Sequence, residues 1–312
     1  MAIQSDTYTQ HCLEHDLVRI PGLELRENEP LSRHTSFGIG GPADLLVIPS
    51  GPEALCAALA ATYDAGIEPL LLGNGTNLIV RDGGIRGVVI RITTEMSALT
   101  FDGTRATVEA GASLATVCLQ CARRGLSGLE FAAGIPGTIG GALIMNAGAY
   151  GGEIGDVTEW VEVATPDGRI ERLSGPELSF GYRHSALRGL GRTVVRAGLR
   201  LQEGDPSDIH AALCDTMSTR CEKQPVSSPS AGSIFKRPEG DYAGRLLEAA
   251  GAKGLCVGRA SVSKKHANFV VNLGGATASD VVRLIGAARE LVHDKCDVWL
   301  EPEVCIVGED AG

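Results

Sequence analysis

The sequence predicts an α+β fold, rich in sheet and tight turns, and three observations carry that prediction. The 41 glycines concentrate at the ends of short apolar runs, which marks strands punctuated by turns rather than a helix bundle. Helical segments alternate with those runs and open on Pro or Ser, residues suited to a first helical turn or its cap. Two short runs also bracket Pro166-Asp167-Gly168-Arg169, a hairpin signal. A chain of 312 residues is long enough for a large core divided over two or three domains.

The elements follow in order. Residues 43–48 read as a strand, and Pro52 opens a helix to about 65. Residues 68–72 form a second strand that runs into Gly73, and 88–92 a third. This βαβ-like block is the first domain, 1–90. Residues 106–109, a helix over 113–124 and a second glycine-rich loop begin the next block. Strands 160–164 and 170–173 form the hairpin, and 193–201 is a further strand. Polar and turn residues at 203–208 mark a boundary, so this block covers 91–205. Pro206 and Ser207 start a helix to about 221, and 224–230 is Pro/Ser-rich. Helices over 241–250 and 279–293 and a strand over 268–273 make a third block, 206–297. Residues 298–307 read as a final strand carrying Glu303, within a terminal segment 298–312. No internal repeat or low-complexity tract is evident.

Composition removes several classes of function. Apolar residues make up 44% of the chain, and none of its runs approaches ~18 residues, so no membrane insertion is expected. Residues 1–16 are polar and acidic without an apolar h-region, so no secretory signal is expected. The net charge of -10, from 28 basic and 38 acidic residues, argues against nonspecific nucleic-acid binding. An anionic ligand would have to be drawn by local cations. Nine cysteines, an odd number without regular spacing, suit free thiols in a reducing cytoplasm. Cys118-Leu119-Gln120-Cys121 lacks the second ligand pair of a zinc site and the context of a redox motif. Core packing is expected there, and no metal site anywhere.

Three segments point to chemistry. Gly73-Asn74-Gly75-Thr76-Asn77 follows Leu70-Leu71-Leu72, and its glycines let backbone N–H groups approach a diphosphate. It is not a P-loop, lacking Gly-Lys-Ser/Thr, nor a Rossmann fingerprint, because Leu78 stands where a third glycine belongs. Gly134-Ile135-Pro136-Gly137-Thr138-Ile139-Gly140-Gly141-Ala142, running on to Asn146-Ala147-Gly148, is denser still. Ordering so many glycines is entropically costly, and close packing against a large flat ligand would explain it. Plain strand connections and sheet-corner bends are the alternatives for the two loops. In Ala231-Gly232-Ser233-Ile234-Phe235-Lys236-Arg237-Pro238, a glycine turns the backbone beside an uncovered hydroxyl, and two cations follow. A solvated polar loop is the alternative.

With Phe180-Gly181-Tyr182-Arg183-His184-Ser185 and Leu300-Glu301-Pro302-Glu303-Val304, these make five ordered segments. In that order the chain resembles the UDP-N-acetylenolpyruvoylglucosamine reductase family, over residues 30 to 307. These are flavin enzymes that make UDP-N-acetylmuramate for bacterial peptidoglycan. The 50-residue spacing from Arg183 to Ser233 resembles the family's shorter form, which lacks a tyrosine-bearing loop.

The resemblance implies an FAD-binding cradle of two small α+β domains (vanillyl-alcohol-oxidase/PCMH-type), here 1–90 and 91–205. It also implies a C-terminal α+β substrate-binding domain over 206–297 and a terminal strand, 298–312, carrying the catalytic Glu. FAD would be held non-covalently by Gly73, Asn74, Gly75, Thr76, Asn77, Gly134, Ile135, Pro136, Gly137, Thr138, Gly141, Asn146 and Gly148. NADPH would reduce FAD, and the flavin would pass hydride to the outer vinyl carbon of UDP-N-acetylglucosamine enolpyruvate. Ser233 would donate the proton, Arg183 would stabilise the enolate-like carboxylate, and Glu303 would bind or polarise the same end of the substrate. Tyr182, Lys236, Arg237, Arg245, His266 and Asn268 would contact substrate, with Lys264 and Lys265 as further cations for phosphate; solvated surface and a structural histidine are the alternatives. The enzyme would be a cytoplasmic monomer or weak oligomer.

Two positions depart from the family's pattern. Gly38 stands in Phe37-Gly38-Ile39-Gly40-Gly41 where a basic residue is usual, and Cys305 follows Val304 where Arg is common. Two rival functions share the motifs. One is another flavin oxidoreductase, an oxidase of alcohols or hydroxy acids, which would consume oxygen without NADPH. The other is a nucleotide-sugar sensor without flavin. Covalent flavin through a cradle histidine finds no histidine within either glycine loop.

Overall fold

The structure is a computed structural model that describes residues 7–189 and 191–312. The first six residues of the segment read for a secretory signal lie outside the described residues. The chain forms two compact units that do not follow chain order. One comprises residues up to 27, 45–73 and 87–218, and the other 28–44, 74–86 and 219–312.

The first unit is built on a five-stranded antiparallel sheet in the order Ile170–Ser174, Thr158–Ala164, Thr193–Arg200, Arg105–Glu109 and Leu99–Asp102. The predicted hairpin is its edge: Trp160 pairs with Ser174 and Ala164 with Ile170. The turn closes through Thr165 N–H to the Arg169 carbonyl at 2.8 Å. Helix Leu114–Ala122 turns Val117, Cys118 and Cys121 into the unit's core. Burial pushes both thiols up to about 12, and Cys118 Sγ donates to the Leu129 carbonyl at 3.0 Å. Both cysteines of the C-x-x-C therefore act as small apolar core residues. A second sheet, most of whose residues fall in this unit, has the order Leu23–Pro30, Pro42–Pro49, Ile85–Arg91, Leu70–Leu72. The βαβ-like block is thus interleaved, because Ile85–Arg91 lies between the strands that flank helix Pro52–Asp64 and pairs parallel with Leu70–Leu72. Helix Thr7–Val18 has no counterpart among the predicted elements. Leu13 and Leu17, one turn apart on a polar segment, are enough to anchor it in the core.

The second unit has its own core. Helices Ala243–Ala249 and Ala278–Cys296 contribute Leu246, Leu247, Val281, Leu284 and Val292. An antiparallel sheet orders Cys256–Val257, Ala260–Val262 and Val270–Asn272. The long helix begins at a capping box, with Thr277 and Asp280 bonding each other's backbone N–H groups. Asp82 accepts from the next two N–H groups, Ala278 at 2.7 Å and Ser279 at 2.9 Å.

The terminal strand requires a correction. Residues 298–307 are not one strand; only Cys305–Val307 is, paired parallel with Leu78–Val80. Glu303 precedes it in irregular extended chain. Pro302 instead forms an isolated antiparallel bridge with Phe235, flanked by Lys236 N–H to the Glu301 carbonyl at 2.8 Å and Glu303 N–H to the Ile234 carbonyl at 2.7 Å. Other boundaries moved by a few residues: 68–72 narrowed to Leu70–Leu72, 241–250 to Ala243–Ala249 and 268–273 to Val270–Asn272.

Candidate active site

In the first unit the loop 134–138 is pinned to the segment before helix Leu114–Ala122. Leu114 N–H donates to the Gly137 carbonyl at 3.1 Å, and Ile139 N–H to the Ala112 carbonyl at 2.9 Å. Thr138 caps helix Ile139–Met145, its hydroxyl accepting from Gly141 N–H at 3.3 Å. Gly73 lies against this cap, since a Cβ there would stand 2.8 Å from Thr138 Oγ1. Gly73, 65 residues before Thr138 in sequence (138 minus 73), therefore meets the second glycine loop at its helix cap. Gly141 differs: a Cβ there would meet only Thr138 Oγ1, at an ordinary 3.6 Å. Protein packing does not demand a glycine at 141, whereas a flat ligand laid on the loop would.

The turn 181–184 carries Arg183. Gly181 and His184 exchange both backbone hydrogen bonds at 3.0 Å, leaving Tyr182 and Arg183 at the tip. Arg183 has φ +52°, a left-handed conformation that turns usually give to Gly or Asn. Its Nη2 donates to the Gly148 carbonyl at 3.3 Å, and its guanidinium lies 5.3 Å from the exposed Tyr182 ring. Asn146 holds this turn from beneath. It is buried, with Nδ2 donating to Glu153 Oε2 at 2.6 Å and to the Gly181 carbonyl at 3.0 Å, while Oδ1 accepts from Gly155 N–H at 3.0 Å.

In the second unit Asn74 is exposed and Gly75 is buried, with φ +58°. A Cβ on Gly75 would lie 2.5 Å from the His34 carbonyl oxygen, so the backbone itself requires this glycine. His34 Nε2 is engaged 2.8 Å from Glu29 Oε1. Ser36 was not anticipated from sequence: its hydroxyl donates to the Ser230 carbonyl at 2.7 Å and its N–H to the Gly75 carbonyl at 3.2 Å. It joins the glycine loop to the segment entering Ser233, with Ser36 and Ser230 194 residues apart, a pairing with no local signal.

Ser233 is half-buried between Gly232, at φ +73°, and the core residues Ile234 and Phe235. Ile234 N–H donates to the Asn268 carbonyl at 2.9 Å, and its carbonyl accepts Glu303 N–H at 2.7 Å. Ser233 and Glu303 thus hang from one stretch of backbone. Asn77 Nδ2 reaches the Glu303 carbonyl at 3.3 Å, and the Asn77 carbonyl accepts Cys305 N–H at 3.1 Å.

Three of the predicted cations, Lys236, Arg237 and Arg245, are already occupied. Lys236 pairs with Glu301, and Arg245 Nε with Asp241 Oδ1 at 2.6 Å, which holds that carboxyl down to about 2. The Arg237 guanidinium lies 4.0 Å over the ring of Tyr242, an exposed aromatic that the sequence reading passed over. His266 Nδ1 accepts from Asn268 N–H at 3.2 Å, leaving Nε2 to carry the ring proton. Burial first, and Lys253 second, depress its pKa, so the ring is neutral near pH 7.

Residues 43–174 match the FAD binding domain model, and 224–307 match the UDP-N-acetylenolpyruvoylglucosamine reductase C-terminal domain model. A reductase of that name from Levilactobacillus brevis is 47% identical over 290 residues, 93% of this chain and 95% of the relative. One from Rubrobacter xylanophilus is 48% identical over 283 residues, 90% of this chain and 95% of the relative. The chain belongs to the UDP-N-acetylenolpyruvoylglucosamine reductase family. The crystal structure of the reductase from Thermus caldophilus superposes with a TM-score of 0.78 at 38% identity, covering 92% of this chain and 99% of that one. As a family reductase, the protein carries out FAD-dependent, NADPH-driven reduction of UDP-N-acetylglucosamine enolpyruvate in peptidoglycan precursor synthesis. The α+β FAD-binding fold is that of the family. The oxidase and sensor alternatives are set aside. The glycine loops fit the flavin: a capped turn at Thr138 meets Gly73, and Gly141 leaves room beside it.

Proposed function

We propose that Ser233 is the proton donor of this reductase, that Arg183 stabilises the charge that develops on the substrate carboxylate, and that Glu303 shares a proton with that carboxylate. One observation carries the proposal: Ser233 and Glu303 flank the same residue, Ile234, whose carbonyl accepts the Glu303 N–H. When bound, FAD would supply the hydride chemistry between NADPH and the outer vinyl carbon. The electron pair of the double bond then moves to the neighbouring carbon and into its carboxylate. A guanidinium beside that carboxylate stabilises the anion. The Ser233 hydroxyl gives its proton to the carbon, and the serine oxygen regains one from solvent.

The glycine loops hold FAD without a covalent bond, through backbone at 73–77 and 134–138 and around Gly141 and Gly148. Asn146 contributes by shaping the loop, because both its side-chain N–H groups are engaged within the protein. Lys236, Arg237 and Arg245 take the UDP diphosphate, exchanging their present partners for it. Solvent-exposed ion pairs such as Lys236–Glu301 and Arg245–Asp241 are weak, so giving them up costs little. Tyr182 and His266 contact the substrate, His266 as a neutral Nε2–H donor. Nine free thiols suit a reducing cytoplasm. Among the described residues no helix is long and apolar enough to cross a membrane. Each unit closes its own core, which supports a monomer or weak oligomer, checkable by light scattering.

Stopped-flow spectroscopy tests the roles. Ser233→Ala should leave flavin reduction by NADPH unchanged and slow re-oxidation by the enolpyruvyl substrate by about 10²–10⁴. Glu303→Gln should slow re-oxidation less than Glu303→Ala, because the amide keeps a donor. Equal slowing of both half-reactions by Ser233→Ala would remove the proton-donor assignment.

A further inference from the structure

Asn268 is buried, yet its side chain does more than fill space. Oδ1 accepts from Phe235 N–H at 3.0 Å, and Nδ2 donates to the Phe235 carbonyl at 2.8 Å. The carboxamide thus copies a peptide group and extends the pairing between two strands by one residue. The Asn268 main chain adds a third bond, its carbonyl accepting Ile234 N–H at 2.9 Å. Ser233 forms an isolated bridge with Phe269 at the same place. Three hydrogen bonds from one residue therefore hold the two residues that follow Ser233, while Glu303 N–H bonds the opposite edge through the Ile234 carbonyl. Ser233 follows Gly232, at φ +73°, a residue free to take up other conformations. The direction of its hydroxyl is therefore set from its C-terminal side, where Asn268 supplies the side-chain part of the clamp.

We propose that Asn268 is a positioning residue for the proton donor, acting through Phe235 and Ile234 to hold Ser233 Oγ in place rather than touching the substrate. The proposal rests on Ser233 being that donor. Proton delivery depends on placement at the ångström scale, and a misplacement of about 1 Å typically costs on the order of 10²-fold in rate. The neutral amide is required because Phe235 presents both a donor and an acceptor. Leu, of similar volume, offers neither, and Asp keeps only the acceptor.

The experiment is a double-mutant cycle on the flavin-loaded enzyme, read by stopped flow, with thermal unfolding and flavin content measured for each variant. Asn268→Leu should slow re-oxidation by the enolpyruvyl substrate by about 10–100-fold, leave reduction by NADPH unchanged and leave the substrate Kd unchanged. In a Ser233→Ala background the same substitution should change re-oxidation by less than about twofold, because residues acting as one unit are not additive. If Asn268→Leu does not fold, Asn268→Asp, which keeps volume and the acceptor toward Phe235 N–H, carries the cycle. An Asn268 effect that persists in the Ser233→Ala background, or that falls on substrate Kd, overturns the positioning role. So does a folded variant with wild-type re-oxidation. If Ser233→Ala itself does not slow re-oxidation, the donor assignment fails instead, and the two failures are told apart.

Discussion

Arg183 occupies a backbone conformation that its side chain disfavours, and this gives a measurable trade between stability and function. Its φ is +52° at the tip of the turn closed by Gly181 and His184. A left-handed conformation costs a residue with a Cβ about 1–2 kcal/mol. Arg183→Gly removes that cost but adds freedom to the unfolded chain, worth about 0.4–1 kcal/mol in the opposite direction. Arg183→Ala keeps the strain. Both variants lose the same contacts, the bond to the Gly148 carbonyl and the stacking on Tyr182, so those terms cancel in the comparison. The glycine variant should therefore be more stable than the alanine variant by about 1 kcal/mol. Urea denaturation followed by circular dichroism, at matched flavin content, reads this difference. Both variants should slow re-oxidation by the enolpyruvyl substrate by about 10²–10³, the usual result of removing one charge-stabilising donor. Glycine would then restore stability without restoring rate. An alanine variant as stable as the glycine variant would show that the turn stores no strain. A glycine variant with wild-type re-oxidation would show that the guanidinium is dispensable.

Three further outcomes follow from other positions. Gly75→Val should yield little folded protein with or without added FAD, because its Cβ would sit 2.5 Å from the His34 carbonyl oxygen at a left-handed φ. Gly73→Ala should fold but lose about 1 kcal/mol as Thr138 rotates away from its capping bond, with weaker flavin retention on gel filtration; full retention would release Gly73 from the cofactor loop. His266 has a folded pKa below its unfolded value near 6.5, so the unfolded chain binds more protons in that window. The stability it contributes is full above pH 6.5 and lost as pH falls through the folded pKa. His266→Gln should flatten the stability profile on the acid side of 6.5, and an unchanged profile would contradict the burial assigned to the ring.

Much of this protein was legible in its amino-acid order, where the relevant physics is local. Pro52 opened its helix, Pro166-Asp167-Gly168-Arg169 turned its hairpin, and Cys118 and Cys121 lay one turn apart on an apolar face. The five ordered motifs carried the family and hence the flavin, the substrate and the reaction. What the order could not supply was which partner each polar group takes. Asn77 and Asn146 lie among motif residues and Asn268 among the expected substrate contacts, so all three invite assignment to ligands. In the folded chain their amides hold backbone at Glu303, Gly181 and Phe235, through partners 226, 35 and 33 residues away. Gly75 and Gly141 look equivalent as letters, yet one is demanded by the His34 carbonyl, while a Cβ on the other would meet, among the described residues, only an ordinary contact with Thr138 Oγ1. The strand expected over 298–307 shrank to Cys305–Val307, because Pro302 meets Phe235 in a single bridge and regular pairing with Leu78–Val80 begins only at Cys305. Local propensity and turn chemistry act over a few residues and can be read from neighbours. A buried hydrogen bond is decided by whichever group the completed fold brings within 3 Å, and that distance exists only in the tertiary structure.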